Sequence, residues 1–230
     1  TTKWTKHLAK KQLGLETKTR VILSFGFISS YKGSDILAKL FAKVSKGNKK
    51  YQLIFAGGKA PSIEDTSHYE EYYAKLADFI HSQPNISLTG FVPEKQIGLY
   101  FAASDLVVLP YRGLMGGSGA LAHAMGFSKP FLVSRHMSSL WKNPYLKAAL
   151  EANKLSEKDV MVPLTQAGLT RVLQTAQNPI KLGELFQLSQ TAAESRHIER
   201  FSEKLYTEIY KDQLGAEAKL YANIVPALTT

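Results

Sequence analysis

Cysteine is absent from the 230 residues. This excludes disulfides, thiolate catalysis and every zinc site built on cysteine sulfur, and it is compatible with a reducing cytoplasm, which is the expected location. No apolar run reaches the about 18 residues that a membrane-crossing helix needs, and no charged-then-apolar leader opens the chain. The first residue is Thr1 rather than methionine, so the expectation is a processed chain or an excised piece. The standard chemical motifs are also missing. There is no G-x-x-x-x-G-K-[ST], no G-x-G-x-x-G after the first apolar strand, no H-E-x-x-H and no close set of histidine and carboxylates for a metal. "GGSGA" lacks the last glycine of a nucleophile elbow. Ser118 also lies eight residues beyond Pro110, whereas an elbow needs strand, sharp turn and helix in immediate succession. Serine hydrolysis is set aside on that ground. The "NIS" sequon at 85–87 is discounted because it falls on an expected strand.

Acidic residues are scarce in one region. The first 50 residues hold 12 Lys and Arg against 2 Asp and Glu, while the remaining 180 hold 17 of each, so the net charge of +10 sits in the leading segment. Two readings stay open: contact with an anionic partner, or a solvated surface whose lysines serve solubility. Aromatic residues do not interleave with these lysines as they do on surfaces that stack single-stranded nucleic acid, which argues against a nucleic-acid partner.

What is present is a regular alternation. Trp4, Leu8 and Leu13 stand near helical spacing, with Gly14 as the stop. Then "RVILSFGF", "YQLIFAGG", "NISLTGF", "DLVVLPY" and "PFLVS" read as five strands. Between them, "GSDILAKLFAKVSK", residues 64–81, "EKQIGLYFAAS" and "SGALAHAMGF" read as helices. Short connections and near-continuous apolar strands predict a doubly wound parallel α/β sheet covered on both faces. After Asn143 the pattern is mostly helical apart from "VMVPL", with helices expected in "GLTRVLQTAQ", "IKLGELFQLSQTAAES" and "HIERFSEKLYTEIYKDQL". No linker or repeat divides the chain, so the expectation is one domain with a helical C-terminal tail.

Open α/β sheets bind ligands at the carboxyl ends of their strands. The loops there are "GFISSYKGS", "AGGKAPS", "TGFVPEK", "PYRGLMGGSG" and "SRHMSS". Gly116, Gly117, Ser118 and Gly119 open the helix that buries Leu121, Ala124 and Met125. Ser118 can simply cap it, but one cap does not require three glycines. A helix start left bare lets an anion approach unpaired N–H groups and their partial positive charge. Lys32, in another strand-end loop, can supply the counter-charge; alone it would read as a solvated lysine.

These ordered loops resemble the C-terminal, donor-binding half of GT-B glycosyltransferases, closest to the large retaining family four, from about Lys18 to Leu214. The likeness rests on "VILSFGFISSYKGSDIL", "YQLIFAGG", "NISLTGFVPEKQIGLYFAASDLVVLPY", "GGSGALAHAMGFSKPFLVS", "VMVPLTQAGLTRVL" and the late helix ending in Tyr210. The resemblance implies that residues 1–17 form a connector helix and 18–230 a Rossmann-like domain. It implies a nucleotide-diphosphate sugar as donor substrate, with no cofactor and no metal. Lys32 would stabilise the departing phosphate, within a first loop contributing Gly26, Ser29 and Gly33. Gly90, Phe91 and Val92 would meet the base, Gly116, Gly117, Ser118 and Gly119 would lie beneath phosphates and sugar, and Met115 and His123 would stand where the family touches the donor sugar and the ribose hydroxyls.

Three departures accompany the likeness. The first loop reads Phe27, Ile28, Ser29, Ser30 without the family's arginine, and the two glutamates spaced E-x7-E fall at Met115 and His123. His123 either bonds a ribose hydroxyl or is a packed core residue. The family's N-terminal acceptor half is not in this sequence, so the chain alone is not expected to be a competent transferase. The acceptor (lipid-linked, saccharide or protein) cannot be read, and peripheral contact with a membrane is a further expectation. The rival reading is a catalytically degenerate module serving partner binding or regulation.

Overall fold

In the computed structural model, which describes residues 4–60, 67–113 and 117–196, six short strands form one sheet. They are β1 (Arg20–Phe25), β2 (Tyr51–Ala56), β3 (Ile86–Leu88), β4 (Leu106–Leu109), β5 (Phe131–Ser134) and β6 (Met161–Val162). All five pairings are parallel, in the order β3-β2-β1-β4-β5-β6. The reason is visible in the strands themselves. Val21–Leu23, Leu106–Leu109 and Phe131–Val133 are continuous apolar runs, and each residue in them is at most 3% exposed. A run without polar alternation must be covered on both faces, which parallel strands with crossover helices achieve. The doubly wound expectation holds, and "VMVPL" supplies the sixth strand.

Nine helices are described: α1 (Lys6–Gln12), α2 (Ser34–Ser45), α3 (Ser67–His81), α4 (Glu94–Ala103), α5 (Gly119–Gly126), α6 (Pro144–Ala152), α7 (Glu157–Val160), α8 (Gln166–Gln177) and α9 (Pro179–Ser195). Most coincide with the helices expected from periodicity, and α1 ends at Gln12, two residues before Gly14, with Leu13 between them. The segment after β5 differs. "SRHMSS" reads as a plain loop, yet Arg135–Lys142 winds into 3-10 turns kinked at Met137, because Met137, Leu140 and Trp141 are buried. Asn85 is 1% exposed and donates its amide to Ser45 Oγ at 3.1 Å and to the Asn48 carbonyl at 3.3 Å, so its sequon is closed off in the folded protein.

At the amino ends of the strands, α1 is fastened by one carboxylate. Asp105, just before β4, accepts from Lys6 at 3.0 Å, Lys10 at 2.9 Å, Arg20 at 3.3 Å and the Val21 N–H at 2.9 Å. Burial alone would raise the Asp105 carboxyl, but the Lys6 charge, the Val21 N–H and Lys10 hold it below the ordinary value. Ala9 of α1 packs with Leu99, Ala102 and Ala103 of α4, beside Trp4 and Leu13.

Contacts divide the chain into a unit of Thr1–Ala192, which contains the sheet, and a second of Ala193–Thr230. Of the second, the described part is the end of α9 and Arg196. The helix expected in "HIERFSEKLYTEIYKDQL", with its Tyr210, lies outside the described residues, as do residues 64–66 at the expected start of α3.

Candidate functional site

Strand order reverses between β1 and β4, so the connections leaving these neighbours run in opposite directions and open a crevice at their carboxyl ends. A cavity of about 410 Å³ lies there. Its wall is built by the loops after β1, β2, β3 and β4 together with the first turns of α5. The floor is tight. The Gly26 N–H donates to the Ala56 carbonyl at 3.0 Å, and the Ile28 N–H to the Gly58 carbonyl at 2.8 Å. A Cβ on Gly57 would stand 2.0 Å from the Gly26 carbonyl oxygen, so only glycine permits that approach. Tyr69 of α3 tightens the same joint, donating its hydroxyl to the Ile28 carbonyl at 2.8 Å and accepting from the Ala60 N–H at 2.7 Å.

Lys32 ends the 3-10 turn Ser30–Lys32 and lines this cavity. Its Nζ lies where a Cβ on Gly26 would be 3.2 Å away, and it faces the rings of Phe27 at 6.0 Å and Tyr31 at 5.9 Å. Among the described residues no carboxylate pairs with it. Burial pushes its ammonium below the ordinary 10.5, with no opposing charge to restore it. A cation held in this way has capacity left for an anion that enters.

Opposite it, Ser118 caps α5: the Leu121 N–H donates to Ser118 Oγ at 3.2 Å. Tyr111, whose phenol burial pushes up, places its hydroxyl 3.3 Å from the same Oγ. Gly117 and Gly119 also line the cavity, and a Cβ on either would meet nothing within 4 Å. Neither is held by the fold to a conformation that requires glycine. The absence of a side chain there leaves open space in front of the helix start. The serine is a cap, and Gly117 and Gly119 beside it leave the helix start bare.

His123, one turn further along α5, lines the cavity as well, but its ring sits among Phe25, Phe101 and Phe127 at centroid distances of 5.2, 5.9 and 6.3 Å. It is at once a wall residue and part of an aromatic cluster. Phe91 is 71% exposed at the rim, and Val92, buried, also lines the cavity.

The structure does not bring every candidate to the wall. Ser29 is 4% exposed with its Oγ unpartnered among the described residues, and it is outside the cavity lining. Gly33 has φ +69, and a Cβ there would strike the Pro110 carbonyl oxygen at 2.1 Å; its task is close packing against the loop after β4. Gly90 carries Phe91 to the rim without forming wall itself. Met115 and Gly116 lie outside the described residues. Residues missed from the sequence include Tyr31, Gly58, Glu94 and Tyr111. The glycine pair after β2 was a usable signal. The aromatic residues carried none, since core and wall aromatics look alike in sequence.

Among the described residues no group of three or more His, Asp or Glu side chains is arranged to hold a metal ion, and no helix is long and apolar enough to cross a membrane.

A family model described as glycosyl transferases group 1 matches residues 5–140. None of the curated proteins compared matches the chain. Solved structures of similar fold include sucrose-phosphate synthase from Thermosynechococcus elongatus, with TM-score 0.58 and 18% identity, covering 95% of this chain and 49% of that one. HepE from Anabaena, solved in complex with UDP-glucose, gives TM-score 0.65 and 17% identity over 89% of this chain and 53% of its own. The C-terminal domain of a glycosyl transferase group 1 family protein, LpcC from Francisella tularensis, gives 0.56 and 13% over 83% of this chain and 90% of its own. The chain thus spans about half the length of the first two, and at these identities the likeness is one of fold.

Proposed function

The chain belongs to the glycosyl transferases group 1 family, and on that premise we propose that it is the donor-binding part of a retaining, metal-independent glycosyltransferase that takes a nucleotide-diphosphate sugar. The observation that carries this reading is Lys32, a half-buried ammonium without a carboxylate partner among the described residues, facing the same cavity as the open start of α5. The complex of HepE with UDP-glucose makes a uridine nucleotide the first probe to try.

In this reading the diphosphate lies between Lys32 and the N-terminal N–H groups of α5. Negative charge grows on the departing phosphate as the bond to the sugar breaks, and preorganised donors in a site shielded from water stabilise it. Ser118 adds a hydroxyl and Gly117 leaves room. Phe91 and Val92 flank the base, and His123 offers a ring nitrogen to a ribose hydroxyl. The transfer itself, of a hexosyl unit to a lipid-linked, saccharide or protein acceptor, calls on a preceding acceptor half, with residues 1–17 as the connector. The protein works in the cytoplasm, and its lysine-rich leading segment, apart from Lys32 and the lysines bonded to Asp105, faces an anionic membrane surface.

The test is titration calorimetry with UDP-glucose, GDP-glucose and ADP-glucose, each competed by its nucleoside diphosphate. Saturable, competable binding of one of them is expected, and absence of binding to all three would overturn the reading. Co-sedimentation with liposomes should rise with anionic lipid and fall with salt, since each lysine near such a surface contributes about 1 kcal/mol. Equal binding to neutral and anionic liposomes would remove the membrane contact. The second reading, a degenerate module, is favoured by one observation: among the described wall residues Glu94, exposed at the start of α4, is the only carboxylate. Tight nucleotide binding without transfer when the acceptor half is present would favour it.

A further inference from the structure

The turn that carries Lys32 is short, and its own bonds are few: the Lys32 N–H donates to the Ser29 carbonyl and the Gly33 N–H to the Ser30 carbonyl, both at 3.1 Å. Among the described residues its hydrogen bonds from another loop come from a single residue. The Arg112 N–H donates to the Tyr31 carbonyl at 2.7 Å, and its guanidinium donates from Nη1 to the Ser30 carbonyl and from Nη2 to Asp35 Oδ2 at 2.7 Å. Asp35, the second residue of α2, uses its other oxygen to accept from the Tyr72 hydroxyl of α3 at 3.2 Å. Two successive carbonyls of the Lys32 turn are thus spent on a single arginine, which is anchored in turn to two helices.

Arg112 also stands at the base of the loop that opens α5. Tyr111, its neighbour, meets the Tyr31 ring edge-on at 5.9 Å and reaches Ser118 with its hydroxyl. The ammonium and the bare helix start face one cavity from different loops, and residues 111 and 112 are where those loops are joined. Planar, forked donation to a carbonyl and a carboxylate at once is geometry that arginine provides and lysine does not.

We propose that Arg112 is a positioning residue, a latch that holds the Lys32 turn at a fixed spacing from the start of α5 and so tunes the cavity for a diphosphate without touching it. The proposal rests on the donor-site reading above. Its action is through Lys32, so removing Arg112 should matter only while Lys32 is present.

The test combines a double-mutant cycle with hydrogen exchange. Titration with UDP, and with GDP and ADP in parallel, is made on the parent, Arg112→Ala, Arg112→Lys, Lys32→Ala and the Lys32→Ala/Arg112→Ala pair. Arg112→Ala should weaken diphosphate binding about tenfold, Arg112→Lys should restore only part of that loss, and the pair should bind no worse than Lys32→Ala alone. Exchange at the Lys32 and Gly33 amides should quicken in Arg112→Ala while β1 and β4 stay protected. Additive losses in the pair, or unchanged exchange in a folded variant, would overturn the latch. If the parent binds none of the three nucleotides, the donor-site reading falls, and exchange still decides: quickened, the latch stands; unchanged, it does not. Should Arg112→Ala fail to protect its strands, Asp35→Asn and Arg112→Lys take its place with the same expected quickening, and unchanged exchange in both would overturn the proposal.

Discussion

Two lysines, one buried and one half-buried, stand at opposite ends of the sheet and are treated in opposite ways. Lys10, at the amino ends, is 2% exposed and fully engaged: Asp105 at 2.9 Å, the Thr19 carbonyl at 2.7 Å and the Thr17 carbonyl at 3.3 Å take its protons. Lys32, at the carboxyl ends, has two aromatic rings for company and no carboxylate among the described residues. Burial lowers both ammonium groups, but at Lys10 the Asp105 hydrogen bond and charge oppose that shift, whereas at Lys32 nothing opposes it. A buried charge is expensive unless it is paired. The paired lysine therefore belongs to the architecture, fixing α1 to the sheet. The unpaired one, half-buried, carries a smaller desolvation cost that an incoming anion would offset.

The contrast can be broken most forcefully at the paired end. Asp105→Asn leaves Lys10 buried without its anion and frees Lys6 and Arg20, so we expect a loss of about 3–5 kcal/mol in urea unfolding. A loss under about 1 kcal/mol would mean the amino-end cluster behaves like an exposed ion pair and the distinction collapses.

At the unpaired end the sign reverses. Lys32→Ala should leave stability unchanged or slightly raised. Diphosphate binding should lose roughly 1.5–3 kcal/mol, or about ten- to a hundredfold in affinity. The pH dependence sharpens this. Because the folded value lies below the ordinary 10.5, the unfolded state binds more protons between the two, and parent stability rises with pH through that window. Lys32→Ala should lack that part of the rise. An unfolding midpoint with the same pH slope in parent and variant would show that Lys32 is not an uncompensated, partly desolvated charge, and unchanged affinity would remove it from the site.

The smallest effects separate capping from ligand approach. Ser118→Ala removes the acceptor of the Leu121 N–H and should cost about 0.5–2 kcal/mol of stability. Gly117→Val places its side chain in open space and should change stability by no more than about 0.5 kcal/mol, while obstructing the cavity. Folded Gly117→Val protein that binds a nucleotide sugar as well as the parent would reduce the glycine run to an ordinary turn.

Much of this architecture was legible in sequence, for identifiable reasons. Val21–Leu23 and Leu106–Leu109 are apolar without alternation, so they had to be central parallel strands. Ser118 followed by an apolar period had to begin a helix. The 3-10 segment Arg135–Lys142 was not legible: its buried Met137, Leu140 and Trp141 have no regular period, and only the surrounding packing winds them. At the site, Lys32 and the glycines before α5 were readable because small and charged residues at strand ends have few other uses. Gly33 was readable as important but not as to why, because the Pro110 carbonyl it meets belongs to a distant loop. Tyr111 and Arg112 gave no local signal at all.

The sequence by itself determined most of the secondary structure, the parallel sheet and the end of it where a ligand would enter, because these follow from local periodicity and from the handedness of strand–helix–strand crossovers. Tertiary structure alone decided which charges were spent. Lys6, Lys10 and Arg20 look alike as basic residues of one leading segment, and Lys32 is set apart from them only by its strand-end loop. Three of them converge on Asp105, some 85 to 99 positions away, and the fourth does not. Pairing depends on which side chains the fold brings within a few ångströms, and no local pattern encodes that distance.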